Sequence, residues 1–215
     1  MSLLCGYPIG AKAIADSNAD QAAATRACAF CSTAGPIFIV ATVGAKLLRS
    51  TAATAIIVAV HILAAILNGF IYRKKEFAEL LDANNKFSPQ DFGNTVTSSV
   101  LSVLSVGGLI ALFYMLTDMI RSFLPQGVAS SLAFCYGVGL IEMTNGIVAV
   151  CNHADAATAT VLVSSLLALG GACVFFQCYA FLGSKKVKAV DVIKMKLTQS
   201  ALATILSFIL VKLFL

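Results

Sequence analysis

Apolar and polar residues fall in long blocks along this chain, not at the two-residue period of half-buried strands. Three blocks are apolar almost throughout: Thr51 to Tyr72, Val96 to Met119 and Leu197 to Leu215. Each is close to the roughly 20 residues that a helix needs to cross a hydrocarbon core about 30 Å thick. The pattern predicts three spanning helices. Three further apolar stretches are interrupted: Ala22 to Leu48 by STAGP (Ser32 to Pro36), Ala156 to Leu182 by LGGAC (Leu169 to Cys173), and Val128 to Val150 by Gly137, Gly139, Glu142 and Asn145. In hydrocarbon every backbone N–H and C=O released by a break must find a partner, so breaks at depth are tolerated where protein or a water-filled cavity covers them. These interruptions therefore mark a candidate site.

Composition agrees with an integral membrane protein. The 215 residues are 59% hydrophobic and 12% charged, with mean hydropathy +0.91, against roughly 25% charged in soluble domains. Short loops rich in Lys and Arg stay cytoplasmic, and the two densest clusters are YRKKEF (Arg73, Lys74, Lys75) and GSKKVK (Lys185, Lys186, Lys188), followed by Lys194 and Lys196. Both loops are expected inside, with Thr51 to Tyr72 running inward and the other two clean spans running outward. If Val128 to Val150 crosses once, Ala156 to Leu182 must enter from the cytoplasm and return, with Ala22 to Leu48 its counterpart from the opposite side. Lys46 and Arg49 then lie outside, against the bias.

The expected fold is an all-α polytopic bundle with two re-entrant broken hairpins. It divides into residues 1–72 (hairpin 22–48 and span 51–72), a cytoplasmic loop 73–92, and residues 93–215 (span 96–119, then a second half, 128–215). The loop Lys74 to Phe92 places Phe77, Leu80 and Leu81 at helical spacing, which predicts a short amphipathic helix. GYPIGAKAIAD from Gly6 and GLIEMTNGIVA from Gly139 each lead into a small-residue segment broken at Gly35-Pro36 or Gly170-Gly171, then into a terminal span. Repetition of this kind, inverted across the membrane, is a common way to build a transporter.

The candidate solute-site residues gather at these breaks: Gly6, Pro8, Gly10 and Lys12; Ser32, Thr33, Gly35 and Pro36; Glu142, Thr144 and Asn145; Gly170 and Gly171; and Gln177. A helix that starts at a break presents unpaired N–H groups to an anion or polar ligand; the plainer alternative is close helix packing through small residues. Glu142 sits among Leu140, Ile141 and Met143, where an unpaired charge costs about 2.5–3.5 kcal/mol on insertion scales. It either serves the site or makes a structural hydrogen bond. Lys12 either snorkels to the interface or pairs with Glu142. His61 suits a helix contact better than a proton relay, and His153 lies in a polar connection.

Cys28 and Cys31 form CAFC without a second pair, and read as small packing residues rather than a redox or zinc pair. No metal, cofactor or nucleic-acid partner is expected, the +5 charge being explained by topology and anionic lipid. No nucleophile with base and orienter is recognisable, and GYPIGAK lacks the spacing of a phosphate-binding loop, so an enzyme is not expected.

In order, GYPIGAK, RACAFCSTAGPIFIVATVG, DFGNTVTSSVLSVLSVGGLIALF, GLIEMTNG and LLALGGACVFFQCYAFL resemble the YlbJ-type sporulation integral membrane proteins, grouped with the nucleoside-recognition or Gate domains. Members usually carry further membrane helices before the first block, so the resemblance implies a truncated or divergent member, a fragment started at an internal Met, or a subunit completed by a partner chain. Near Thr33 or Ala34 the family tends to have an Asn that is missing here. The resemblance implies a transporter or channel component for a nucleoside or other small polar solute in the cell membrane of a spore-forming cell, or else a membrane scaffold in sporulation. The implied partners are the lipid bilayer, a small polar solute, and a second copy or another membrane chain.

The basic clusters carry a direct test. In a cysteine-free background, single cysteines at Glu79 and at Ser184 should both be labelled by an impermeant maleimide from the cytoplasmic side alone; labelling from opposite sides contradicts the topology.

Overall fold

A computed structural model of the chain describes residues 6–31, 33–73 and 89–215, and every element in them is helical. Ten α-helices and a π-helix follow in order: α1 (Ile9–Asp16), α2 (Gln21–Ala27), the π-helix Phe38–Leu48, α3 (Thr51–Ile71), α4 (Pro89–Ser122), α5 (Gln126–Ala129), α6 (Leu132–Ile141), α7 (Met143–His153), α8 (Ala156–Leu169), α9 (Gly171–Leu182) and α10 (Ala189–Phe214). Among the described residues four stretches are long and apolar enough to cross a membrane: Thr51–Ile71, Val96–Ser122, Ala156–Lys185 and Ala189–Phe214. The chain is membrane-spanning. The amphipathic helix expected on Lys74 to Phe92 falls largely outside the described residues.

The frame is α3, α8 and α10, packed on one another. Small residues make their close approach possible, with Ala64, Ala168 and Ala203 buried in one cluster with Ile56, Val60 and Val211. Ser165 hydrogen-bonds Ser200 across α8 and α10 (2.9 Å), and the Lys196 ammonium donates to the Ala168 carbonyl (3.0 Å). Asn68 of α3 donates to the carbonyls of Ala29 (2.6 Å) and Met195 (3.1 Å). These pairings run α10 antiparallel to both α3 and α8. Arg73, just past α3, then lies at the same end as the start of α10, where Tyr72 bonds Thr198 (2.9 Å).

The span expected from Leu197 begins eight residues earlier, at Ala189. Lys194 and Lys196 are helix residues and not loop charges. Lys194 is exposed, whereas Lys196 is 7% exposed and turned into the protein.

Two expectations about the broken segments are corrected. Ala156 to Leu182 does not fold back on itself. α8 packs on α3 and α10, while α9 packs on α1, α4 and α6. Ala157 shares a cluster with Val211 near the end of α10, and Leu182 shares another with Val192 near its start. The segment therefore traverses the molecule with a break at Gly170 and Gly171, whose φ of 82° and 69° are open to glycine without strain. Ala22 to Leu48 also traverses: Gln21 donates to the Lys186 carbonyl (2.6 Å) at one end, and Leu47 and Leu48 flank the cluster that Ala154 joins at the other.

The stretch that does fold back is Val128 to Val150, expected to cross once. α6 and α7 are antiparallel arms of 10 and 11 residues joined at Glu142. At about 1.5 Å per residue each arm reaches only about half of a 30 Å core. Glu142 adopts an extended conformation (φ −130°, ψ 110°), which ends α6 and caps α7 in one residue. The arms touch at Gly139 and Gly146, where a Cβ on Gly146 would strike the Gly139 backbone.

That contact gives a prediction. Gly146→Val should cost about 3 kcal/mol, since backbone cannot yield as a side-chain end can, while Gly137→Ala, with open space around it, should stay within about 0.5 kcal/mol. Equilibrium unfolding in mixed micelles checks both; equal effects contradict the hairpin.

Candidate functional site

The interior starts of the half-helices meet. The residues Gly6 and Tyr7 ahead of α1, Gly35, Ile37 and Phe38 at the head of the π-helix, Glu142, Met143 and Thr144 at the head of α7, and Cys173, Val174 and Gln177 in the first turns of α9 border one cavity of about 340 Å³, closed on one flank by Val106 and Ile110 of α4. Such a volume lies at the small end of ligand pockets. Four helix starts therefore point at one space.

Their caps differ from those of helices that begin at the ends of the molecule. Asp20, Ser50, Ser131 and Asp155 each accept a backbone N–H in the first turn of α2, α3, α6 and α8. Inside, α1 follows Pro8, the π-helix follows Ile37 and α9 follows Gly170, none with a side-chain cap. Of the outer starts, α5 follows Pro125 and α10 follows Lys188 without a side-chain cap, both at exposed residues where water reaches them. Among the described residues only Glu142 caps an interior start, accepting the N–H groups of Asn145 (2.6 Å) and Thr144 (3.1 Å). The residue is 2% exposed. Solvation by two amides at a helix N-terminus is what holds a carboxylate there without a cation.

The two tips are tied across the cavity. The Tyr7 N–H donates to the Thr33 carbonyl (2.9 Å), and the Tyr7 hydroxyl donates to Met143 Sδ (2.8 Å). Gly6 lies against the Gly35 backbone. Behind Tyr7 stands Lys196, its ammonium 5.9 Å from the ring centroid and within 3.4 Å of Gln199 Oε1. Its bond to Ala168 places a cation on the last turn of α8, where the carbonyls have no partner in their own helix. His61 serves the other break: its Nε2 accepts the Ala34 N–H (2.9 Å), and its Nδ1 is buried without a partner.

The expected site residues divide accordingly. Gly6, Gly35, Glu142, Thr144 and Gln177 border the cavity. Pro8, Gly170 and Gly171 build the turns beside it, and Pro36 is the first helical residue leading into the π-helix; a Cβ on Gly171 would meet the carbonyls of Gly139, Leu140 and Ile141. Thr33 contributes its carbonyl, Gly10 is buried inside α1, and Ser32 lies outside the described residues. Asn145 donates to Thr117 (2.8 Å), joining the hairpin to α4. Lys12 does not pair with Glu142: its ammonium donates to Ser98 (2.9 Å) and Ser102 (3.3 Å), about one helical turn along α4 from the cavity. Cys28 is packed in an apolar cluster, and His153 bonds the Ala149 carbonyl at the end of α7 (2.9 Å).

Sequence reasoning missed Tyr7, Phe38, Cys173 and Lys196. Tyr7 lay inside the quoted GYPIGAK. For Lys196 the signal is the stripe Lys196, Gln199, Ser200, Ala203 and Ser207, polar or small at helical spacing and buried throughout.

Among known proteins, no family model, curated protein or solved structure matches this chain.

The Lys196 geometry separates two neighbouring lysines. Lys196→Met should cost roughly 1–3 kcal/mol by leaving the buried Ala168 carbonyl without its donor, and Lys194→Met should change stability by less than about 0.5 kcal/mol. Thermal unfolding of the purified variants checks this; equal effects return Lys196 to the surface.

Proposed function

We propose that this protein is a transporter or channel component that takes a small, acceptor-rich polar solute into the central cavity. The observation that carries this reading is the convergence of four half-helix starts on one cavity, three of them without a side-chain cap. Backbone N–H groups held in fixed directions recognise an anionic or carbonyl-rich group, as the broken helices of transporters do. Apolar walls from Phe38, Val106, Ile110 and Val174 suit the remainder of such a solute. A nucleoside, the solute class implied by the resemblance of the five sequence blocks to the Gate-domain proteins, has both parts.

The order of elements supports an inverted repeat, redrawn from the one expected. In the first half a tip at Gly6 to Pro8 leads to α1, a broken traverse made of α2 and the π-helix, and the span α3. In the second a tip at Glu142 leads to α7, the broken traverse α8–α9, and the span α10. Corresponding elements run in opposite directions, since α1 heads for the end carrying Lys185 and α7 for the end carrying Asp155. On this reading the re-entrant element is α6–α7, and the two broken segments are crossing helices. With Arg73 and Lys185 at one end, the positive-inside bias places that end in the cytoplasm of a cell membrane.

Solute-dependent thermal stabilisation of the purified protein, screened over nucleosides, nucleobases and small anions, tests the proposal. A solute at a hundred times its Kd should stabilise by about 2.7 kcal/mol. Glu142→Gln should abolish that shift while leaving unliganded unfolding within about 1 kcal/mol, the amide oxygen still accepting one N–H. An unchanged shift in Glu142→Gln contradicts the assigned cavity.

A further inference from the structure

Lys46 and Arg49 are unexplained by the central cavity, and on the proposed sidedness they stand against the charge bias. Both are exposed at the end of the π-helix. Arg49 lines a second hollow, an open groove of about 730 Å³ between the π-helix and α3, and Lys46 adjoins its lining residue Ala45 in the chain. Its bed is apolar, formed by Val40, Ala45, Ala55, Val58 and Ala59, and Arg49, Ser50 and Thr51 stand together at one end. Gly44 permits the depth, because a Cβ there would strike the Thr54 side chain.

Three features fix the occupant. The α3 wall runs from Thr51 to Ala59, about 12 Å at the rise of an α-helix, and one leaflet of the hydrocarbon core is about 15 Å deep. The basic group sits only at the end where the chain leaves the spanning region, so charge and apolar surface are ordered along the groove as in a phospholipid. Arg49, at φ 51° in the left-handed turn between the two helices, spends its Nε on the Lys46 carbonyl (3.4 Å), which orients the guanidinium at the groove mouth. A planar guanidinium with neighbouring hydroxyls matches phosphate oxygens.

We infer that this groove is a binding site for an anionic phospholipid, one acyl chain lying along Val40, Ala55 and Ala59 and the phosphate at Arg49 with Lys46 beside it. The lipid completes the outer surface where the π-helix and α3 diverge. Two basic residues on the side where the bias disfavours them are thereby retained for a headgroup and not for topology.

Native mass spectrometry of the full chain, equilibrated in mixed micelles with equal amounts of phosphatidylglycerol and phosphatidylcholine, tests the site. The protein should retain phosphatidylglycerol in preference, and Lys46→Gln and Arg49→Gln should each lower that preference by about fivefold at low salt. Ala55→Phe, which fills the groove without touching the basic end, should remove bound lipid of both kinds while far-UV circular dichroism keeps the wild-type helix content. Equal retention of the two lipids by the wild type, or an unchanged preference in the double glutamine variant, overturns the proposal. So does a dimer in wild-type spectra that Ala55→Phe abolishes, since the groove would then hold a second copy.

Discussion

Every helix interrupted inside a bilayer releases backbone donors and acceptors that lipid cannot satisfy, and the rest of this structure follows from how those groups are met. The breaks at Gly35, Glu142 and Gly170 are not scattered along the molecule. They are brought together with the tip at Gly6, so that one interior space serves four helix starts. Acceptors released at the breaks find donors in side chains and backbone: Ala168 takes Lys196, and Thr33 takes Tyr7. Donors are treated unevenly, with His61 meeting Ala34 and Glu142 meeting Thr144 and Asn145, while the first turns after Pro8, Ile37 and Gly170 carry no side-chain cap. In water such starts would be unremarkable. Inside a spanning bundle they are a set of directed donors around a cavity, which is why the solute reading is preferred to close packing alone.

The two buried charges are accommodated by the same means. Glu142 is solvated by the N-terminal amides of α7 and Lys196 by the C-terminal carbonyl region of α8, so each sits at the helix end whose dipole favours it. The expected pairing of Lys12 with Glu142 is therefore unnecessary, and Lys12 spends its donors on the hydroxyls of α4. Between the two buried charges stands Tyr7, joining the first tip to the second through Met143. Glu142 is part of the cavity wall, and a change at Lys196 has a route to that wall through the Tyr7 ring.

Much of this was legible in the sequence, and the limits have physical causes. The spans at Thr51 and Val96 and the location of every break could be read, because uninterrupted apolar length and Gly or Pro at depth are local signals. The path of the chain through each break could not be read. Ala156 to Leu182 and Val128 to Val150 both look like apolar runs with glycines, yet one continues and the other reverses. The difference lies in a tertiary contact, the meeting of Gly139 and Gly146, and in Glu142 adopting an extended conformation. Lys196 was misplaced for a related reason: adjacency to Lys185 and Lys186 suggested a loop, whereas the polar stripe continuing to Ser207 belonged to a buried helix face.

The central claim is that helix starts deep in the bundle keep their backbone donors for a hydrated, solute-bearing space. Hydrogen–deuterium exchange of the protein in lipid nanodiscs, read at backbone amides, addresses it most directly. The amides of 171–174 and of Ile37 and Phe38 should exchange far faster than those of 160–167 and 56–66 at similar depth, because the latter are bonded within a helix and shielded from water. Exchange across 156–182 as uniformly slow as in α3 would mean a dry, continuously bonded interior, and would contradict the account.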